Sequence, residues 1–199
     1  MAGDPYHREG LRGRLLEAAY RIVDREGADA VSMRARARHA GVSSAAPFRH
    51  FADKATLLDA VAEKAGVELD LRVDEAADDS ADALTQFRAM AVAYVRFAVE
   101  HPNLFDLVHA RSPFAGRLLG EINDERRLKL ITLIVEGQNA GLIPDVDPEL
   151  IALTSEALTH GLACMIVDRH PRVRHLGPEE ARTLALAMTQ LLQRGMGLS

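Results

Sequence analysis

Apolar residues recur along most of the chain at the three- and four-residue intervals of a helix. No alternating apolar and polar run of strand type persists, and Gly and Pro fall mainly between the periodic segments. The pattern predicts an all-α protein. A first helix is expected over about 11–26, with Leu15, Ala18, Ala19 and Ile22 on its apolar face and Gly27 as its stop. Ser32 can cap a short second helix in which Met33, Arg36, Ala37 and Ala40 share a face, and Gly41 and Val42 make a turn. Ser43 caps a third short helix reaching about Phe51, and Asp53 caps a longer fourth one with Leu57, Leu58, Val61 and Ala65 inward.

The acidic run DEAADDSADAL, residues 74–84, reads as a boundary. Beyond it a helix is expected over 80–100, with Leu84, Phe87, Tyr94 and Phe97 inward, closed at His101-Pro102 because the residue before Pro avoids helical angles. A short piece follows over 102–110. Ser112-Pro113 opens a helix to about Asn139, where Gly141 can take a positive φ. Asp147-Pro148 opens one ending near Asp168, and Gly177-Pro178 a last one ending near Gly195. Nine helices result, divided into an N-terminal helix-turn-helix domain (1–54), a connecting helix (54–74) and a C-terminal domain (75–199).

Composition narrows the function. A chain of 199 residues with 48% hydrophobic residues, 5% aromatics and no Trp is that of a folded Ala/Leu-rich protein. Cys164 is the one cysteine, so neither an intrachain disulfide nor a zinc site built on several cysteines can form. No run of about 18 apolar residues occurs and the N-terminus lacks an apolar signal region, so the cytoplasm is the expected compartment. Net charge is −5, yet residues 1–54 hold 10 Lys/Arg against 7 Asp/Glu, and residues 55–199 hold 14 against 22. A basic end on an acidic body points to an anionic partner for that end alone.

The stretch HAGVSSAAPFRHFADK explains what such an end could do. Small Ala37 allows the second helix to approach the third closely, Gly41 supplies the turn, and Val42 plugs the interface. Ser43, Ser44, Ala45 and Ala46 then keep the backbone close to base edges, where Ser can donate or accept and Ala can touch a thymine methyl. Phe48, Arg49, His50 and Lys54 on the following turn, with Ser32 and Arg34 at the start of the second helix, complete the candidate DNA-binding set. Ser43 is expected as a helix cap ahead of a base reader, and Phe51 is expected in the core. Arg12 and Arg14 are candidates for phosphate contact, with a solvated helix face as the alternative.

At these residues the chain resembles the tetracycline-repressor-like (TetR) family of bacterial transcription regulators. The resemblance covers about 6–61 and rests on YHREGLR, SMRARARHAGVS and AAPFRHFADKATLL in the right order and spacing. It implies a homodimer on a near-palindromic operator, usually as a repressor, with a C-terminal domain that binds a small effector and a dimer bundle made by the last two helices. No cofactor and no enzymatic activity are implied. Three residues depart from the family pattern: Arg36 where an apolar residue is usual, Pro47 in place of Leu, and Phe48 in place of Tyr.

In the C-terminal half Phe87, Met90, Tyr94, Phe97, Phe105, Phe114, His160, Cys164 and Met165 are the candidate effector-lining residues, most of which double as core. His101, His109, His160, His170 and His175 fit no zinc spacing. The small residues Ala152, Ser155, Ala157, Thr159, Gly161 and Ala163, facing Leu184, Ala187, Met188, Leu191 and Leu192 of the last helix, are the expected dimer surface. A helical enzyme or carrier using His160 or the Asp168, His170 and His175 group is the rival reading. It lacks a nucleophile with its base, a phosphate-binding Gly loop and a carboxylate pair.

Overall fold

The computed structural model describes residues 5–31, 50–111 and 124–195. Among them are seven α-helices and one 3-10 turn, and no strand. Helix α1 is Pro5–Glu26, followed by the 3-10 turn Ala28–Ala30; α2 is Lys54–Glu75, α3 Ala83–Glu100, α4 Pro102–Arg111, α5 Asp124–Asn139, α6 Pro148–Val167 and α7 Pro178–Gly195. The fold class is all-α, as the periodicity predicts. Of the nine expected helices, the second and all but the end of the third fall within 32–49, outside the described residues; at the expected end of the third, His50 is in a turn and Phe51 is not helical.

Local chemistry sets most of the ends. Gly27 takes φ 83° and donates its N–H to the Val23 carbonyl, closing α1, and Gly141 takes φ 70° after α5. Asp53 accepts from the Thr56 N–H at 2.8 Å and from its hydroxyl at 2.9 Å. Asp147 caps α6 through the Glu149 N–H at 3.0 Å, with Pro148 in the first turn where no N–H is needed. The start of α3 is later than the expected residue 80. Asp78 takes the Ser80 N–H and hydroxyl at 2.9 and 2.7 Å, which holds 78–80 as a turn, and Asp82 then caps α3 through Thr85. Helix α1 also begins six residues before the expected start.

The Asp82 cap carries a testable consequence. Hydrogen bonds from the Thr85 hydroxyl and N–H hold its carboxyl below the usual range. A depressed folded value means the stabilisation is present above the unfolded Asp value near pH 4 and is lost as pH falls through the folded one. Asp82→Ala is expected to lower the melting temperature by roughly 2–4 °C at pH 7, with the gap to the parent closing toward pH 2. Melting curves at the two pH values check it.

The chain divides into two compact units. The first comprises residues 1–67 and 103–115, the second residues 68–102 and 116–199. In the first, Leu15, Ala19 and Val23 of α1, Leu57, Val61 and Ala65 of α2 and Leu104 of α4 are buried. The buried stripe of α1 therefore centres on 15, 19 and 23, with Ala18 and Ile22 at its margin. Asn103 donates to the Asp24 carbonyl at 2.9 Å, and Lys64 pairs with Glu17 and lies 4.8 Å over the Tyr20 ring. These links cross from α1 to α4 and from α1 to α2.

In the second unit α3 packs along α5, α6 and α7. One cluster joins Phe87, Ile134, Ile143, Ile151 and Ala152; another joins Val95, Leu162, Val173, Ala181 and Ala185. Gly137 permits the first cluster, since a Cβ there would lie 2.6 Å from Ile143 Cδ1. Helix α2 is continuous, its first fourteen residues counted with the first unit and its last eight with the second. Those last eight are latched within the second unit by Arg72. Its guanidinium donates to Glu68 at 2.7 Å and Glu100 at 3.0 Å, meets His101 Nε2 at 3.2 Å, and lies 5.4 Å over the Phe97 ring.

Candidate nucleic-acid interface and sensing unit

Of the expected DNA-binding residues, Ser32, Arg34, Ser43, Ser44, Ala45, Ala46, Phe48 and Arg49 lie outside the described residues, as do Arg36 and Pro47. What is described is how the ends of their segment are held. Val31 is buried before it and Phe51 after it, with the Arg12 guanidinium 5.0 Å over the Phe51 ring. Lys54, the first residue of α2, donates from Nζ to the Asp29 carbonyl at 3.3 Å. That bond ties the 3-10 turn before the segment to the helix after it. An ammonium has three donors, and this bond uses one of them. His50 is half-buried in the turn before Phe51. Arg12 and Arg14 are both exposed. The role of Lys54 as a tie was not legible in the sequence, because its partner is a backbone carbonyl 25 residues away.

The expected effector-lining residues separate in space. Tyr94, His160 and Cys164 meet directly: the Tyr94 hydroxyl is 3.0 Å from His160 Nδ1, and Cys164 Sγ is 3.3 Å from His160 Nε2. Burial pushes the Tyr94 phenol up and His160 down from their ordinary values. Met165 packs with the Val95 cluster. Phe87 lies in the other cluster and lines a cavity of about 20 Å³ with Leu84, Arg88, Ile143, Thr189 and Leu192. Met90 is buried, and Phe97 is fully buried under Arg72. Phe105 belongs to the first unit, its ring 4.1 Å from that of His109. Phe114 lies outside the described residues. A cavity of this size holds about one water, so an effector of ordinary drug-like size must part the helices to enter there.

Among the described residues no three His, Cys, Asp or Glu side chains are grouped to hold a metal ion. His170 and His175 are exposed, and His170 Nδ1 faces the Arg172 N–H at 3.3 Å.

An N-terminal segment of helix-turn-helix sequence pattern held at both ends, joined to a separate helical bundle, defines a DNA-binding regulatory protein. Residues 15–61 match the bacterial regulatory proteins of the tetR family, and residues 87–191 match the tetracyclin repressor-like C-terminal domain. The chain belongs to the TetR family of transcriptional regulators. A solved structure of a protein of unknown function from Rhodococcus sp. RHA1 is 31% identical, with TM-score 0.70, over 98% of this chain and 100% of that one. The structure of a TetR-family transcriptional regulator from Pectobacterium atrosepticum, 23% identical, shares the fold with TM-score 0.71 over 98% of both chains. The nucleoid occlusion factor SlmA of Photorhabdus laumondii is 30% identical over 115 residues, which are 56% of this chain and 58% of that protein.

Proposed function

We propose that the protein acts as a homodimeric repressor on a near-palindromic operator, with a small effector bound by the second unit lowering DNA affinity. The observation that carries the homodimer is the uncovered apolar face of α6. An 18-residue window of this helix has a mean hydropathy of 1.6, apolar enough by length and composition to cross a membrane, yet only 28% of it is buried. Leu150 and Leu153 are 53% and 49% exposed, and Ala157 and Gly161 continue the stripe. On α7, Ala187 and Leu191 are exposed, Leu191 by 70%. Leucines at such exposure in a well-packed bundle favour a partner helix pair. The expected dimer set narrows accordingly. Ala152, Ser155 and Ala163 are buried within the chain, and Leu184 and Met188 pack in its own core.

In a dimer two recognition segments address half-sites about 34–36 Å apart, one helical turn of DNA. Helix α2, shared by both units, is the element through which effector occupancy would change that separation. Reciprocity follows: DNA must weaken effector binding by the factor with which the effector weakens DNA binding.

The experiment is a salt series of binding to the duplex just upstream of the protein's own coding region, with an unrelated duplex as control. Selective binding is expected, its log affinity falling linearly with log salt by about 0.9 per phosphate neutralised. Arg49→Ala is expected to weaken specific binding by about 1–3 kcal/mol if it reads a base, and to reduce the salt slope by about one if it holds a phosphate. Equal weak binding to both duplexes, followed by failure of a random-sequence selection to yield an operator, overturns the reading.

A further inference from the structure

We infer that α6 pairs antiparallel with α6 of a second copy about a two-fold axis at Ala157, the leucine half of each stripe filling the small-residue half of the other and each basic end meeting an acidic one. The inference rests on the homodimer reading and supplies the orientation and register that this reading leaves open.

Leu150, Leu153, Ala157, Gly161 and Cys164 recur at three- and four-residue intervals and so line one face of α6. The two halves of the stripe differ in size. Leu150 and Leu153 are 53% and 49% exposed, whereas Gly161 has open space where a Cβ would stand and Cys164 is half-buried. Parallel pairing would set leucine on leucine at one end and glycine on glycine at the other, leaving a gap that a packed interface does not tolerate. Antiparallel pairing about Ala157 sets Leu153 on Gly161 of the second copy and Leu150 on its Cys164. Large then meets small at both steps, and the small Ala157 at the axis lets the two backbones approach.

Charge sorts the same way. Asp145, Asp147 and Glu149 are exposed where α6 begins, and Glu149 is paired with Arg127 of its own chain. Arg169, Arg172 and Arg174 are exposed in the turn that follows α6, with Asp168 the acidic residue beside them. Among the described residues none of these three guanidinium groups has an ion pair within the chain. The turn is pinned to the helix end, since the His170 N–H donates to the Met165 carbonyl at 2.9 Å and Val173 is buried in the second cluster. Parallel pairing would crowd two such basic turns together. Antiparallel pairing carries Arg169 of one copy to Asp145 of the other, twice per dimer, and also opposes the two helix dipoles.

Disulfide formation tests the register, on the full-length protein oxidised with copper phenanthroline and resolved without reductant. Leu150→Cys is expected to give a covalent dimer through the native Cys164 of the second copy. The parent, and Leu150→Cys combined with Cys164→Ser, are expected to give none. In the antiparallel register like positions seven residues from the axis stand about 21 Å apart, too far for a disulfide. Circular dichroism confirms that each variant is folded. A second arm reads charge: Arg169→Glu is expected to weaken dimerisation roughly tenfold in sedimentation, and Asp145→Arg in the same chain to restore it.

A covalent dimer from the parent, or from the variant lacking Cys164, overturns the antiparallel orientation. A reduced Leu150→Cys protein that sediments as a dimer yet gives no covalent product overturns the register. An unchanged dimer in Arg169→Glu, or a further loss on adding Asp145→Arg, overturns the charge pairing. A parent that sediments as a monomer at micromolar concentration overturns the homodimer reading itself.

Discussion

Phe97→Ala is expected to lower the unfolding free energy by about 3–5 kcal/mol, the range for deleting a buried aromatic ring from a packed interior. Phe97 is 0% exposed, its ring 5.2 Å from that of His101 and beneath the guanidinium of Arg72. Truncation removes the ring from the core and also takes away the surface on which Arg72 rests while it holds Glu68 and Glu100. Phe97→Leu keeps most of the volume and is expected to cost less than half as much. Urea unfolding measured with an unchanged m-value gives both numbers. A loss under about 1 kcal/mol for the alanine variant would show instead that Phe97 borders space an effector can fill.

The second large effect concerns assembly. Leu153→Glu combined with Leu191→Glu places carboxylates at two of the most exposed leucines of α6 and α7, where the chain's own core is untouched. Helix content is expected to stay that of the parent. Sedimentation at micromolar concentration should then show monomer where the parent is a dimer, and operator affinity should fall by about 10²–10⁴, because the second half-site contact ceases to be intramolecular. A double variant that remains dimeric places the interface on another face. Loss of helix content would mean that the two leucines serve the fold.

Local chemistry was readable from the sequence wherever it was complete within a few residues. Gly27 and Gly141 stop helices through their own backbone freedom, and Asp53 and Asp147-Pro148 start them through bonds to residues two or three positions on. The late start of α3 escaped because two Asp caps, Asp78 and Asp82, compete within five residues, and which wins each turn depends on geometry. Aromatics were harder to place. Phe87, Phe97 and Phe105 look alike as apolar positions at helical spacing, yet one lines a small cavity, one lies under a cation and one sits in the other unit. Small residues divide in the same way: of the run from Ala152 to Ala163, Ala152, Ser155 and Ala163 turn inward while Ala157 and Gly161 stay exposed.

By itself the sequence determined the all-helical class, the positions of most helix ends, and membership of the TetR family, since these rest on periodicity, caps and motif spacing carried along the chain. Tertiary structure alone decided which partners meet. Lys54 on the Asp29 carbonyl, Arg72 between Glu68 and Glu100, and Cys164 against His160 and Tyr94 each depend on helices brought side by side or on side-chain direction. It also decided which leucines remain uncovered. Burial is a property of the packed whole, and the same Leu pattern on α6 describes a core face or an interface until the neighbouring helices have taken their places.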